Sequence, residues 1–246
     1  MLEVSRLKPI LKKTAIVLLS ILFVGKMLLW FPQPAFAHKV EYKNFTVYAT
    51  NPINGDVGKI FDSVIEQIKR SENYNAQYSH RIFLCEPGTF YHQLLFTENG
   101  SYASNMTFRH NIFIFPFADF ERNTVTRAHS TTSYRLDQLL AHEITHTFMT
   151  DKLPSWKKEG YAEYIASYRV GYVESGDLKE NAITLLTSKD YFLTNELGIP
   201  RPLPYFKART LVEYLIFIDG FTFAQIKSDS ITDDKTMAAL KKWADR

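Results

Sequence analysis

Hydrophobic positions change their spacing along the chain, and each change marks an element. An apolar run from Thr14 to Phe31, broken only by Lys26, is long enough to span a bilayer. From Tyr42 to Ala49 apolar and polar residues alternate, which predicts a strand, and Asn51 to Asp56 has the composition of a turn. Val57 to Ser71 switches to a helical period, with Ile60, Phe61, Val64, Ile65 and Ile68 on one face. His80 to Cys85 and Asn111 to Phe117 are dense apolar runs of strand length, and Met106 to Arg109 is placed to pair near the second. Between Tyr134 and Met149 there is neither Gly nor Pro. Leu136, Leu140, Ile144 and Phe148 form a helical stripe there, leaving the opposite side free to face a cleft. Ser155 reads as the N-cap of a further helix from about Trp156 to Tyr168. Gly171 to Pro204 reads as a connecting region with one short helix near Leu178 to Thr187. Helices are then predicted over Tyr205 to Asp219, ended by Gly220, and over Asp233 to Asp245. The expected class is α+β: a small N-terminal mixed β-sheet lobe with a helix, then the helix at 134–149, then a C-terminal helical lobe over 151–246.

Composition narrows this only a little. The chain has 246 residues, 46% of them hydrophobic, enough for one sizeable core. A net charge of +3, with no Lys/Arg cluster interleaved with aromatics, gives no sign of a nucleic-acid partner. Cys85 is the only cysteine, which excludes an internal disulfide framework and a cysteine-based metal site. Arg6, Lys8, Lys12 and Lys13 precede the first apolar run, a distribution that keeps the N-terminus in the cytoplasm and sends the downstream chain across the membrane. Two readings of residues 1–37 compete. Ala35-Phe36-Ala37 is a small-x-small site for removal of a signal peptide, whereas the length of the run, with Lys26 snorkelling, suits a retained membrane anchor. Under either reading, residues 38–246 form a domain outside the cytoplasm. Nothing in the sequence sets its oligomeric state.

The polar side of the helix at 134–149 carries His142-Glu143-Ile144-Thr145-His146. Histidines four apart lie one above the other on a helix, so both can reach one zinc ion. Glu143, one residue from His142, is turned about 100° away, placed to take a proton from a metal-activated water rather than to bind the ion. A hydrolytic zinc site still needs a third protein ligand, commonly a carboxylate. On the next predicted helix Trp156, Glu159, Gly160, Ala162 and Tyr164 form the pattern W-x-x-E-G-x-A-x-Y. Gly160 allows a close helix approach, and Glu163 lies one turn beyond Glu159 on the same face.

The HExxH helix followed by this pattern, over Tyr134 to Tyr168, resembles the gluzincin metallopeptidases, the thermolysin- and aminopeptidase-like clan. The resemblance implies that His142, His146 and Glu159 hold Zn2+, that Glu143 is the general base, and that peptide or protein is the substrate. It also implies an acceptor at Glu163 for the second N–H of a ligating histidine, against the alternative of a solvated helix carboxylate. The His146-to-Glu159 spacing is shorter than in the large aminopeptidases of the clan. A metzincin site is excluded, because no histidine follows His146. An oxyanion donor must then come from elsewhere. Tyr205, with Arg209 behind it, is the candidate, against the alternative of a packing tyrosine. In such enzymes an edge strand binds extended peptide, a role open to Asn111 to Phe115 if that segment is not simply a core strand. Tyr161, Tyr164 and Tyr168 read as packing residues. The expected function is a zinc-dependent peptidase, with endopeptidase action favoured because no clamp for a chain terminus is recognisable. The alternative is a catalytically silent zinc-binding envelope domain that acts by binding a partner.

Overall fold

Parallel strands need a crossover between them, and the amphipathic segment after Asp56 supplies it. The computed structural model describes residues 2–95, 102–106, 109–115, 117–126, 133–149, 152–167, 175–194 and 200–246. After a long helix α1 (Leu2–Trp30) and a short 3-10 turn (Gln33–Ala35), strands β1 (His38–Tyr42) and β2 (Phe45–Ala49) form an antiparallel pair. The single strand expected over Tyr42 to Ala49 is therefore half of a hairpin. Its turn is at Lys43 and Asn44, where Lys43 takes a positive φ of 51° and Asn44 Nδ2 donates to the Tyr78 carbonyl. Helix α2 (Val57–Ile68), capped by the Asp56 carboxylate accepting from the Lys59 N–H, leads to β3 (His80–Leu84), parallel to β2. A short helix α3 (Phe90–Leu95) precedes β4 (Ala103–Met106) and β5 (Asn111–Ile114), and the sheet runs β1-β2-β3-β5-β4.

β5 is hydrogen-bonded to β3 on one side and β4 on the other. It is thus interior, so of the two readings of Asn111 to Phe115 the core strand holds and the peptide-receiving edge does not. The apolar run also stops as a strand at Ile114, and Phe117–Asp119 (β6) opens a separate antiparallel sheet with β7 (Thr124–Thr126) and β8 (Ser133–Arg135).

Side chains alternate across the main sheet. Val47, Ile82, Ile112 and Ile114 face the larger core, shared with α2 and with α4 (Leu136–Phe148). Phe83, Cys85, Phe113 and Phe115 face the other way, into a smaller aromatic cluster with Tyr91, Leu29 and Phe36. Cys85 is buried there as a free thiol.

The N-terminus of α4 is held by Asn123, whose side-chain oxygen accepts from the Asp137 N–H at 2.9 Å and whose carbonyl accepts from the Leu136 N–H at 3.1 Å. Asp137 itself is fully buried, bonded to Arg135 and to Ser63 of α2. The Leu136, Leu140, Ile144 and Phe148 stripe is in the core as expected, but the opposite side is buried too, so α4 is a central helix rather than an amphipathic surface one. Behind it lie α5 (Ser155–Ser167), α6 (Ser175–Thr187), α7 (Leu203–Phe217), α8 (Phe223–Ile226) and α9 (Asp233–Ala244). Ser155 is the first helical residue rather than the cap, since the Pro154 carbonyl already accepts from Lys157 and Lys158. Between α6 and α7, β9 (Phe192–Thr194) and β10 (Pro200–Pro202) pair as a small ribbon where only a connection was expected. The α+β class and the order of lobes hold.

Candidate metal centre

α4 and α5 pack side by side, and each brings two polar side chains to one point. His142 and His146 stand one turn apart on α4, with their rings nearly perpendicular and 4.7 Å between centroids. Glu159 and Glu163 stand one turn apart on α5. Of the described residues, His142, His146 and Glu159 form the group that could hold a metal ion. Their Nε2, Nε2 and Oε2 atoms make a triangle with edges of 3.0, 3.3 and 3.4 Å.

This triangle fits a zinc ion. Ligand atoms at tetrahedral zinc distances stand about 3.3 Å apart, and two imidazole nitrogens with one carboxylate oxygen is the donor set of a hydrolytic site. The other nitrogen of His142, Nδ1, stands 3.2 Å from Glu163 Oε1, within ion-pair reach but out of hydrogen-bond alignment, the two groups from which a carboxylate–histidine pair is built. Glu163 is buried, not the solvated carboxylate of the alternative reading.

The electrostatics point the same way. Burial disfavours charge on His142, yet the Glu159 and Glu163 carboxylates outweigh it and raise its pKa to about 10. Burial also disfavours charge on Glu159, but the two imidazoles hold it well below the usual carboxylate range. Glu163 is brought down to about 2 against burial, by Arg201 and then His142. The cluster thus demands positive charge at its centre. A proton meets that demand at one atom, whereas a divalent cation meets it at all three.

Glu143 is buried beside the triangle but is not one of its corners. Its Oε2 accepts from Asn105 Nδ2 of β4 at 2.7 Å, which fixes that oxygen. Tyr205, near the start of α7, has its ring 6.4 Å from that of His142. Tyr205 is 39% exposed, and the partial desolvation of its phenol, then the charges of Glu159, Glu163 and Glu143, push it up to about 12, so it keeps its proton and can donate. Arg209 is one turn further on, inside the protein, with its Nε donating to Glu213 at 2.7 Å. Its charge adds to the positive field on Glu163. Tyr161 is a core residue stacked on Phe223, and Tyr164 packs edge-on to Phe217; Tyr168 lies outside the described residues.

Two residues near the centre carried no sequence signal. Asn105 sits in a short strand with no motif. Arg201 reaches Glu163 Oε2 with its Nε at 3.2 Å and lies over the Tyr134 ring, 5.0 Å from its centroid. Both arrive by tertiary contact across long stretches of chain. Gly160 was expected to let α4 and α5 approach closely; its close contact is instead with α7, where a Cβ would stand 2.3 Å from the Ala208 carbonyl oxygen. Neither a protein-family model nor a curated protein sequence matches this chain.

Proposed function

We propose that the chain is a zinc-dependent peptidase of the gluzincin type, with its domain outside the cytoplasm. The observation that carries the reading is the near-tetrahedral triangle of His142, His146 and Glu159, with Glu143 alongside it but outside it. When bound, zinc would polarise the scissile carbonyl and make water acidic enough to be deprotonated near neutral pH. The protein's own groups divide the remaining work. Glu143, steadied by Asn105, accepts the proton of the attacking water and returns it to the leaving amine. Glu163 keeps the Nδ1 proton of His142 in place, so that Nε2 is the free nitrogen. Tyr205 retains its phenolic proton and can donate it as a hydrogen bond to the developing oxyanion. The positive charge at residues 6–13, ahead of the apolar run, supports export of the domain.

The test is Glu143→Gln in the full chain, assayed with zinc on a broad peptide library. The variant keeps the side-chain shape but cannot take a proton. It should retain zinc and lose hydrolysis by a factor of about 10²–10⁴. Equal rates in wild type and variant would refute the mechanism. Zinc binding without any hydrolysis by the wild type would leave a metal-holding binding domain.

A further inference from the structure

α1 is divided in its surroundings. From Ile16 to Val24 its large apolar side chains are more than half exposed, whereas its last turn is bound to the domain. Within it Lys12–Trp30 is long and apolar enough to cross a membrane, with a mean hydropathy of 1.8. A stripe of that length exposed all round has no stable place in water.

At the other end, the last carbonyls of a helix have no partners within it. Here the domain supplies them. The Tyr91 hydroxyl donates to the Leu28 carbonyl at 2.8 Å, and Asn111 Nδ2 donates to the Leu29 carbonyl at 3.1 Å, with Trp30 O at 3.4 Å. Asn111 is fully buried at the start of β5, so this cap is part of the sheet itself. The Arg109 guanidinium lies over Phe31, 4.5 Å from the ring centroid, and Phe36 packs on Phe83 and Tyr91 at 5.3 and 5.4 Å. Removing residues 1–37 would strip both Leu29 and Phe36 from the cluster of Phe83, Phe113, Phe115 and Tyr91. That would uncover aromatic surface on the face of the sheet opposite α4.

We propose that α1 is a retained membrane anchor, joined to the domain as a fixed continuation rather than by a flexible leash, and not a leader that is cleaved away. Its apolar length takes a lipid bilayer. Trp30 and Phe31 at its exit, beside Arg109, have the aromatic and cationic character of a headgroup interface. Whatever chemistry the His142 cluster performs, this docking stands on the contacts of residues 28–36 alone.

The experiment uses the full chain with a carboxy-terminal tag, made in a cell with an active secretory signal peptidase and extracted in detergent. Intact mass should show residues 1–37 still attached, in protein recovered from the membrane fraction. A mature chain starting at His38 would overturn the anchor. Limited proteolysis then reads the docking. Cleavage between residues 31 and 38 should be as slow as cleavage of the folded domain, and about tenfold faster or more in the double variant Tyr91→Phe, Asn111→Ala. Should that pair fail to fold, Tyr91→Phe alone removes one hydroxyl and should speed cleavage severalfold. A wild-type linker cut as fast as denatured chain, or protection unaltered by the loss of these caps, would overturn the fixed junction.

Discussion

Gly160→Ala probes the candidate metal centre from behind. A Cβ at this position would stand 2.3 Å from the Ala208 carbonyl oxygen, 2.7 Å from its carbon and 2.7 Å from Val212 Cγ2. Two of those atoms are backbone, so no rotamer change relieves the contact. Ordinary packing needs roughly 1 Å more, and α5 must back away from α7 by about that distance. Overpacking of this kind costs about 1–3 kcal/mol, and with backbone on one side the upper end applies. Alanine returns about 1 kcal/mol of helix propensity, leaving a net loss near 2 kcal/mol. For a chain of this size that lowers the Tm by about 4–8 °C. Glu159 is the neighbouring residue and Glu163 lies one turn on, so both move with the helix and zinc affinity should fall together with stability. Thermal melts with and without zinc, and chelator competition, give the two readings. A variant that melts at or above wild type would show that propensity is all that matters here and that α5 and α7 are not in backbone contact.

Two further outcomes rest on buried polar groups. Glu163→Gln keeps the shape against His142 Nδ1 but loses the charge, and should weaken zinc binding about 10–100-fold without loss of fold; equal affinity by chelator competition would refute the positioning role. His80 is buried, its ring nitrogens without a hydrogen-bond partner among the described residues, and burial, then the charge of His110, lowers its pKa to about 3. Between pH 6.5 and 3 the unfolded chain therefore binds a proton that the folded chain refuses, so this stability is present above pH 6.5 and is lost as pH falls, at about 1.4 kcal/mol per unit. His80→Phe, at a position stacked on Phe45 and edge-on to Phe148, should save about 2 kcal/mol of the loss between pH 7 and 5, measured by denaturant melts; an unchanged pH slope would refute it.

What was legible in the sequence was what is local. The two histidines and Glu143 are set by one helix period, and Glu159 and Glu163 by the next helix, so side chains spaced along one element could be placed before any fold was known. What was hidden depends on contacts between elements. Lys43 and Asn44 fall inside an alternating run, and only the positive φ of Lys43 reveals the turn. The burial of most of α4 was concealed because its polar residues find partners, some within the helix and some beyond it. Thr145 and Thr147 donate to the Ala141 and Ile144 carbonyls at 2.7 Å, and Asp137 is neutralised by Arg135. Asn105 and Arg201 meet the centre only through tertiary folding, Asn105 from 38 residues away along the chain. No periodicity records such a meeting.

The division of side chains between the two helices has one more consequence. Both histidines belong to α4 and both carboxylates to α5, so the relative placement of two rods sets every histidine–carboxylate distance in the cluster. Metal binding at their junction and repacking anywhere along them would then be thermodynamically linked, and the linkage reciprocal: a force that separates the rods would expel a bound ion, and a bound ion would resist their separation. A spectroscopically visible cation placed at that junction would act as a strain gauge, reporting on the core of the protein from inside it.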